Sequence, residues 1–389
     1  MDSYLESVSL PRAWRREAIA MIAGLTIAAV VIAHADDQEV RFDQAALLPH
    51  SSLILGESPG STVLCGWSID SSKCFEDASN RGAKRTVLWF GNSQVPTVNE
   101  HKAGQTTGVP ALRARLAAKG LDLTVLVEPN ASLQEHFVAY AHARQSLPVT
   151  AVVVSLVFDD TRETGLREHS SEGMAEPDVI ARLSRHAIGK RIVERYRAAA
   201  AAEEAAKKPP SEQTLQERSE AALTGWLTEH SAVWKAREQA NGKLGLALHV
   251  TRNTIFGIKP ESKRRLIEAR YRDNLEALEA MLIDAKEDGI KVLGYIAPLR
   301  PGVEVPYIDH EYARFKSDVG SLFERHGALV ENLENLVPKA DWGDTASTTA
   351  NKDREIDFMH FMAPGHQRVA AALGDLVLRS VPVDVAVKL

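Results

Sequence analysis

The chain has 389 residues, 44% of them hydrophobic and 25% charged, with a formal net charge of −6. That length supports one large domain or two modest ones around an ordinary core. The acidic balance argues against a nucleic-acid partner, which needs a basic face, and no stretch is acidic enough to stay disordered on charge alone.

From the amino end, residues 18–33 ("AIAMIAGLTIAAVVIA") carry no charge. Arg12, Arg15 and Arg16 precede this run, and Asp36, Asp37 and Glu39 follow it. That polarity fits an N-terminus kept in the cytoplasm with the rest exported. The run is shorter than the roughly 20 residues that span a bilayer comfortably. It ends in "AHA" (33–35), the small-x-small form of a signal-peptidase site. A cleaved signal and a single-pass inner-membrane anchor both stay open, and the leader containing Pro11 and Trp14 favours the anchor. A buried core helix is the third reading, and the lack of a polar face counts against it. Residues 1–35 are therefore expected to be leader and anchor or signal, with the main domain periplasmic or otherwise extracytoplasmic, and secreted if the signal is cleaved.

Residues 36–85 read as an irregular lead-in, with Gly, Pro and Ser clustered at 56–62. They hold the chain's two cysteines, Cys65 and Cys74. In an oxidising compartment two cysteines this close are disulfide candidates; two free buried thiols are the alternative. The spacing is too wide for a CxxC redox pair, and no further cysteine is available for a zinc site.

A repeating pattern begins at "TVLWF" (86–90), a short apolar run. Helical spacing and a glycine stop follow at 109–120, a second apolar run at 121–129, and a helix at 132–146. "VTAVVVSLVF" (149–158) is a third, strongly β-branched run. Apolar strands alternating with helices predict a parallel sheet covered on both faces. The alternation is interrupted over 167–250, a charge-rich stretch with "RAAAAAEEAAKKPP" at 197–210, read as an inserted helical subdomain. Trp226 and Trp234 within it lie roughly on one helical face, as core or sugar platform. The pattern resumes with a helix at 261–288, a fourth strand at 290–298, a helix at 309–326 and a short fifth strand within 328–337. Residues 357–380 are a turn leading into a C-terminal helix. The expected fold is a three-layer, flavodoxin-like α/β sandwich with a parallel five-stranded sheet, built from 86–166 and 251–380, with its site at the carboxyl ends of the strands.

At that edge "FGNSQ" places Ser93 just past the first strand, with a following segment that can turn helical. A serine hydroxyl is a poor nucleophile until a base takes its proton, and the base in turn needs an orienting acid. "DFMHFMAPGH" supplies both, Asp357 and His360 standing three residues apart before the last helix. Ser93 as a helix-capping serine and His360 as a structural histidine are the bland alternatives. Asp357, His360 and His366 could instead hold a metal, but no further Cys, His or Glu cluster completes such a site. No metal and no cofactor is expected.

These two blocks, in this order and strand context, resemble the SGNH (GDSL-like) hydrolase superfamily. Its first block is Gly-Asp/Asn-Ser and its last Asp-x-x-His, often followed by a Gly-His pair. The resemblance implies Ser93 as nucleophile, His360 as general base and Asp357 as orienting acid. It also implies oxyanion donors from the Ser93 N–H, from a glycine after the second strand and from an asparagine after the third. Here "EPNAS" offers Asn130 or Ser132 in the glycine's place, and Asn tolerates a left-handed backbone. "LVFDDTRE" puts Asp159 in the asparagine's place. An ionised aspartate cannot donate, so a protonated Asp159, Arg162 as substitute donor, or weak catalysis all stay open. Asp159, Asp160 and Arg162 read equally as an ion-pair network. Arg162, Arg300 and His366 are candidate substrate-binding residues. The architecture resembles membrane-tethered acyl-transfer proteins of envelope polymers, such as the D-alanyl-transfer protein of teichoic acids and the alginate O-acetylation proteins. That likeness implies a membrane-bound O-acyltransferase partner and a cell-envelope glycan as acceptor. The open alternatives are a secreted SGNH esterase and a non-catalytic scaffold of the same fold.

Overall fold

The computed structural model describes residues 51–53, 64–66, 71–128, 130–166, 169–206, 262–345 and 354–382. The leader and apolar run at 1–35, Pro209, Pro210, Trp226 and Trp234 lie outside them. The chain divides into two units, and the one made of 47–206 and 257–389 holds every described residue.

Two short strands, β1 (Ser51–Leu53) and β2 (Leu64–Gly66), open this unit, followed by α1 (Ser71–Asn80). β3 (Thr86–Gly91), β4 (Thr97–Asn99), α2 (Val109–Ala117), β5 (Asp122–Val127) and α3 (Leu133–Ser146) come next. β6 (Val149–Leu156) leads through two 3-10 turns into α4 (Pro177–Leu183) and α5 (Ala187–Ala206). The chain returns with α6 (Glu268–Glu287), β7 (Lys291–Ile296), α7 (Asp309–His326) and β8 (Leu329–Asn332). β9 (Trp342–Thr345), β10 (Glu355–Phe361) and α8 (Ala363–Ser380) complete it.

The main sheet runs β2–β5–β3–β6–β7–β8, every neighbouring pair parallel. It has six strands rather than the five expected. The extra one is β2, three residues carrying Cys65, too short to show a period and hidden in a stretch that reads as irregular. Cys65 is disulfide-bonded to Cys74 in α1, with Cα atoms 6.0 Å apart, so the bridge pins the edge strand to the helix that follows it. That helix was also unexpected; it buries Cys74, Phe75 and Ala78 on one face. Counted from β3, the other five strands take the order 2-1-3-4-5 of flavodoxin-like sheets. In that order the crevice lies where the connections diverge, between β3 and β6.

Alternation along the buried strands fills both faces. Leu88, Phe90, Val152 and Val154 face a cluster with Phe137 of α3, Leu278 of α6 and Phe315 of α7. Val87, Trp89, Val153 and Leu293 face Leu112 and Leu116 of α2 and Leu373 and Leu376 of α8. Each such side chain contributes about 1.5–3 kcal/mol relative to exposure. α4 and α5, at the start of the expected insertion, pack Val179, Leu183, Ile188 and Ile192 into the first cluster.

Element ends follow local chemistry. Ser132 caps α3 in a box with Glu135: Ser132 Oγ accepts the Glu135 N–H at 3.2 Å, and the Ser132 N–H donates back to Glu135 Oε2 at 2.9 Å. α6 begins at Glu268 rather than 261, because Arg264 first makes a parallel bridge with Tyr307. Residues 357–361 belong to β10, antiparallel to β9, where a free turn was expected. The ladder registers Ile356 with Asp344 and Phe361 with Trp342, leaving Asp357 to His360 opposite Gly343 alone. This bulge combines both features, since the strand continues while the four residues turn.

Candidate active site

β3 is buried along its whole length, and beyond it the chain reverses instead of entering a helix. Asn92 Oδ1 accepts the Gln94 N–H at 3.0 Å, and the Asn92 carbonyl accepts the Val95 N–H at 3.1 Å. Val95 thereby folds back over Gly91, where a Cβ would stand 3.2 Å from Val95 Cβ and nearer still to its Cγ2. Space, rather than backbone angle, requires glycine there. Ser93 lies at the tip of the reversal, half-buried, and the chain proceeds into β4. Since no helix starts at Ser93, it caps none.

The bulge of β10 presents the other two groups. Asp357 Oδ1 accepts the N–H groups of Met359 and His360, both at 2.9 Å, which curls the strand back on its own carboxylate. Asp357 Oδ2 then meets His360 Nδ1 at 3.0 Å. His360 Nε2 lies 3.1 Å from Ser93 Oγ. An ionised carboxylate only accepts hydrogen bonds, so it selects the Nδ1–H tautomer and leaves the Nε2 lone pair facing the serine. Burial pushes the Asp357 carboxyl up, but the His360 ring and the two backbone donors outweigh it and hold it below the usual carboxylate range. The acid is therefore a fixed negative charge behind the imidazole.

Ser93, Asp357 and His360 are thus brought into one relay. Asn130 stands at the carboxyl end of β5, exposed, with φ +53, the left-handed conformation anticipated for it. The Ser132 N–H is already given to Glu135 and cannot serve an oxyanion. Asp159 accepts from Arg162 Nη1 at 3.0 Å, from Tyr307 OH at 3.1 Å and from Arg264, so its carboxylate anchors an ion-pair network. Arg162 also donates Nε–H to the Arg265 carbonyl at 2.8 Å. Arg300 Nη1 donates to the Gly343 carbonyl at 2.7 Å, to Asp344 at 3.0 Å and to the Asp357 carbonyl at 3.3 Å. It braces the ribbon that carries the acid. His366 is buried, its Nε2–H donated to the Thr97 carbonyl at 2.9 Å and its ring set edge-on to Phe361.

Two supporting residues escaped the sequence reading. Gln94 Nε2 donates to the Met359 carbonyl at 2.7 Å and to the Pro298 carbonyl at 2.9 Å, joining the serine turn, the end of β7 and the histidine strand. Asn99 Nδ2 lies 3.2 Å from Asp357 Oδ2 and 3.2 Å from the His360 carbonyl. Gln94 follows Ser93 directly, which is a faint signal. Asn99 gives none, because its partners are more than 250 residues away.

No family model matches the chain, and no curated protein is similar to it. Its chemistry has to be read from the site itself. A serine oxygen on an oriented imidazole backed by a buried carboxylate can be deprotonated as it attacks an acyl carbon.

Proposed function

We propose that this protein is a serine-dependent acyl-transfer enzyme of the SGNH (GDSL-like) type, working through an acyl-Ser93 intermediate. The observation that carries the reading is the continuous contact Ser93 Oγ–His360 Nε2, His360 Nδ1–Asp357 Oδ2. Ser93 Oγ forms a bond to the acyl carbon of an ester while its proton passes to His360 Nε2. The tetrahedral adduct then expels the ester's alkoxide, which takes that proton from His360. In the second half an acceptor hydroxyl, from a glycan or from water, gives its proton to His360 and attacks the acyl-serine. Ser93 Oγ leaves and recovers the proton. Asp357 keeps its charge throughout and stabilises the imidazolium formed in each half. The Ser93 and Asn130 N–H groups are the candidate oxyanion donors.

The narrower reading rests on the amino-terminal sequence and the family resemblance. On it the enzyme is exported and tethered to the inner membrane, receives its acyl group from a membrane-bound O-acyltransferase and passes it to an envelope glycan. Its secreted-esterase variant uses the same site with water as acceptor. A second reading, a non-catalytic scaffold that binds glycan or partner, draws on the ion-paired Asp159 standing where an oxyanion donor is expected.

Turnover of p-nitrophenyl acetate, with and without added oligosaccharide, tests the proposal. The wild type is expected to release nitrophenol and, with a competent glycan, to yield acetylated sugar. Ser93→Ala should lose both by at least about a thousandfold, in line with triad removal elsewhere, while melting like the wild type. Equal turnover in Ser93→Ala would exclude Ser93 as nucleophile.

A further inference from the structure

Asn99 closes β4, where its side chain is wholly buried. Both groups within reach of its Nδ2 are acceptors, the Asp357 carboxylate and the His360 carbonyl. The amide therefore must present its NH2 there, which fixes its orientation. The packing behind it is close: a Cβ on Gly343 would stand 2.5 Å from Asn99 Oδ1 and 2.8 Å from Glu100 Cγ. Glu100 itself holds φ +47, an unfavourable angle for a residue with a side chain. It is ion-paired to Arg354, just ahead of β10. The backbone is thus bent at considerable local cost beside a single amide. That amide's donors converge on the acid and on the backbone of the base. Strain of this kind persists where surrounding contacts over-determine it.

We infer that Asn99 is a positioning residue of the triad. Resting on the acyl-transfer reading above, the inference is that Asn99 works through Asp357. Its first N–H shares Asp357 Oδ2 with His360 Nδ1, setting the direction of that carboxylate oxygen. Its second holds the His360 carbonyl, so that the bulge presents Nε2 to Ser93. Asn99 touches no reacting atom. It lies on β4, and β4 pairs antiparallel with β1 through Ser51↔Asn99, so β1 backs the strand that carries the positioning amide.

Two near-isosteric variants of the full chain separate positioning from space-filling. Asn99→Leu keeps the branched outline, at somewhat greater volume, and removes both donors. Asn99→Asp keeps the shape and sets an acceptor against the Asp357 carboxylate. The readouts are kcat and KM for p-nitrophenyl acetate and the low-field proton resonance of His360 Nδ1–H. For Asn99→Leu, kcat should fall about 10- to 100-fold, the range for losing a hydrogen bond to a charged group, with KM within about twofold. The Nδ1–H resonance should shift and broaden. Asn99→Asp should do worse on both counts. A folded Asn99→Leu with wild-type kcat and an unmoved resonance overturns the inference. If neither variant folds, the wild type decides. Its Asn99 side-chain amide protons must exchange slowly and must shift when Asp357→Asn removes the charge. Fast exchange, or no shift, is the contrary result. Should the wild type fail to turn over the ester at all, the acyl-transfer reading falls. The Nδ1–H resonance still reports whether Asn99 orients Asp357.

Discussion

His366 illustrates how a single side chain links the site to stability. Burial pushes its imidazole down to about 4; the Thr97 carbonyl opposes this, and the His360 charge adds to it. The ordinary value of about 6.5 applies in the unfolded chain. Above that pH the ring is neutral in both states and exerts no pH effect. As pH falls from about 6.5 toward 4, the unfolded chain takes up a proton that the native state refuses, so stability declines. Between pH 7 and pH 5 this one residue should cost about 2 kcal/mol. In urea melts at the two pH values, His366→Gln should lose about that much less than the wild type; equal losses would show that the ring titrates normally. The sequence offered His366 as a candidate substrate-binding residue, and only its packing against Phe361 and its bond to Thr97 reveal its buried setting. Arg300 was read in the same way. Its partners Gly343 and Asp344 come from a strand that sequence did not predict.

At the scale of elements, the turn after β3 depends on Val95 lying over Gly91. Gly91→Ala should destabilise by about 1–3 kcal/mol through overpacking. Combining it with Val95→Ala should cost less than the two changes summed, because the second makes room for the first. Strict additivity in a double-mutant cycle would contradict the close approach. β2 depends on its disulfide. The bridge closes a loop of sequence separation 9, which corresponds to about 2.5 kcal/mol of chain entropy. Cys65→Ser with Cys74→Ser should lower stability by about that amount, and dithiothreitol should bring the wild type to the same level. A wild type indifferent to reductant would argue that β2 holds without the bridge. The long apolar strands β3, β5, β6 and β7 and the helices between them were legible, because each carries several periods of its own pattern. β2 and β9 were not. A strand of three or four residues, stabilised by a disulfide or by a bulged partner, has no periodicity to read.

Across the whole molecule, the site is an assembly of distant segments drawn from three sheets. β3 brings Ser93, the β9–β10 ribbon brings Asp357 and His360, and β4 brings Asn99. Gln94 ties the first two together. The order of "FGNSQ" and "DFMH" in an alternating pattern pointed to all three members of the relay; parallel topology accounts for Ser93 at a strand end, whereas Asp357 and His360 come from the antiparallel β9–β10 ribbon. What sequence did not reveal is that Asn99 helps hold the acid, since that contact joins residues 258 positions apart. The ion pair of Asp159 with Arg162 was among the expected readings; that Arg264 and Tyr307 would join it was not. The central claim is that Ser93 is an activated nucleophile, and labelling with a fluorophosphonate followed by peptide mapping tests it most directly. A single adduct on Ser93 is predicted, absent in Ser93→Ala and strongly slowed in His360→Gln. A folded wild-type protein that takes no adduct at Ser93 would contradict it.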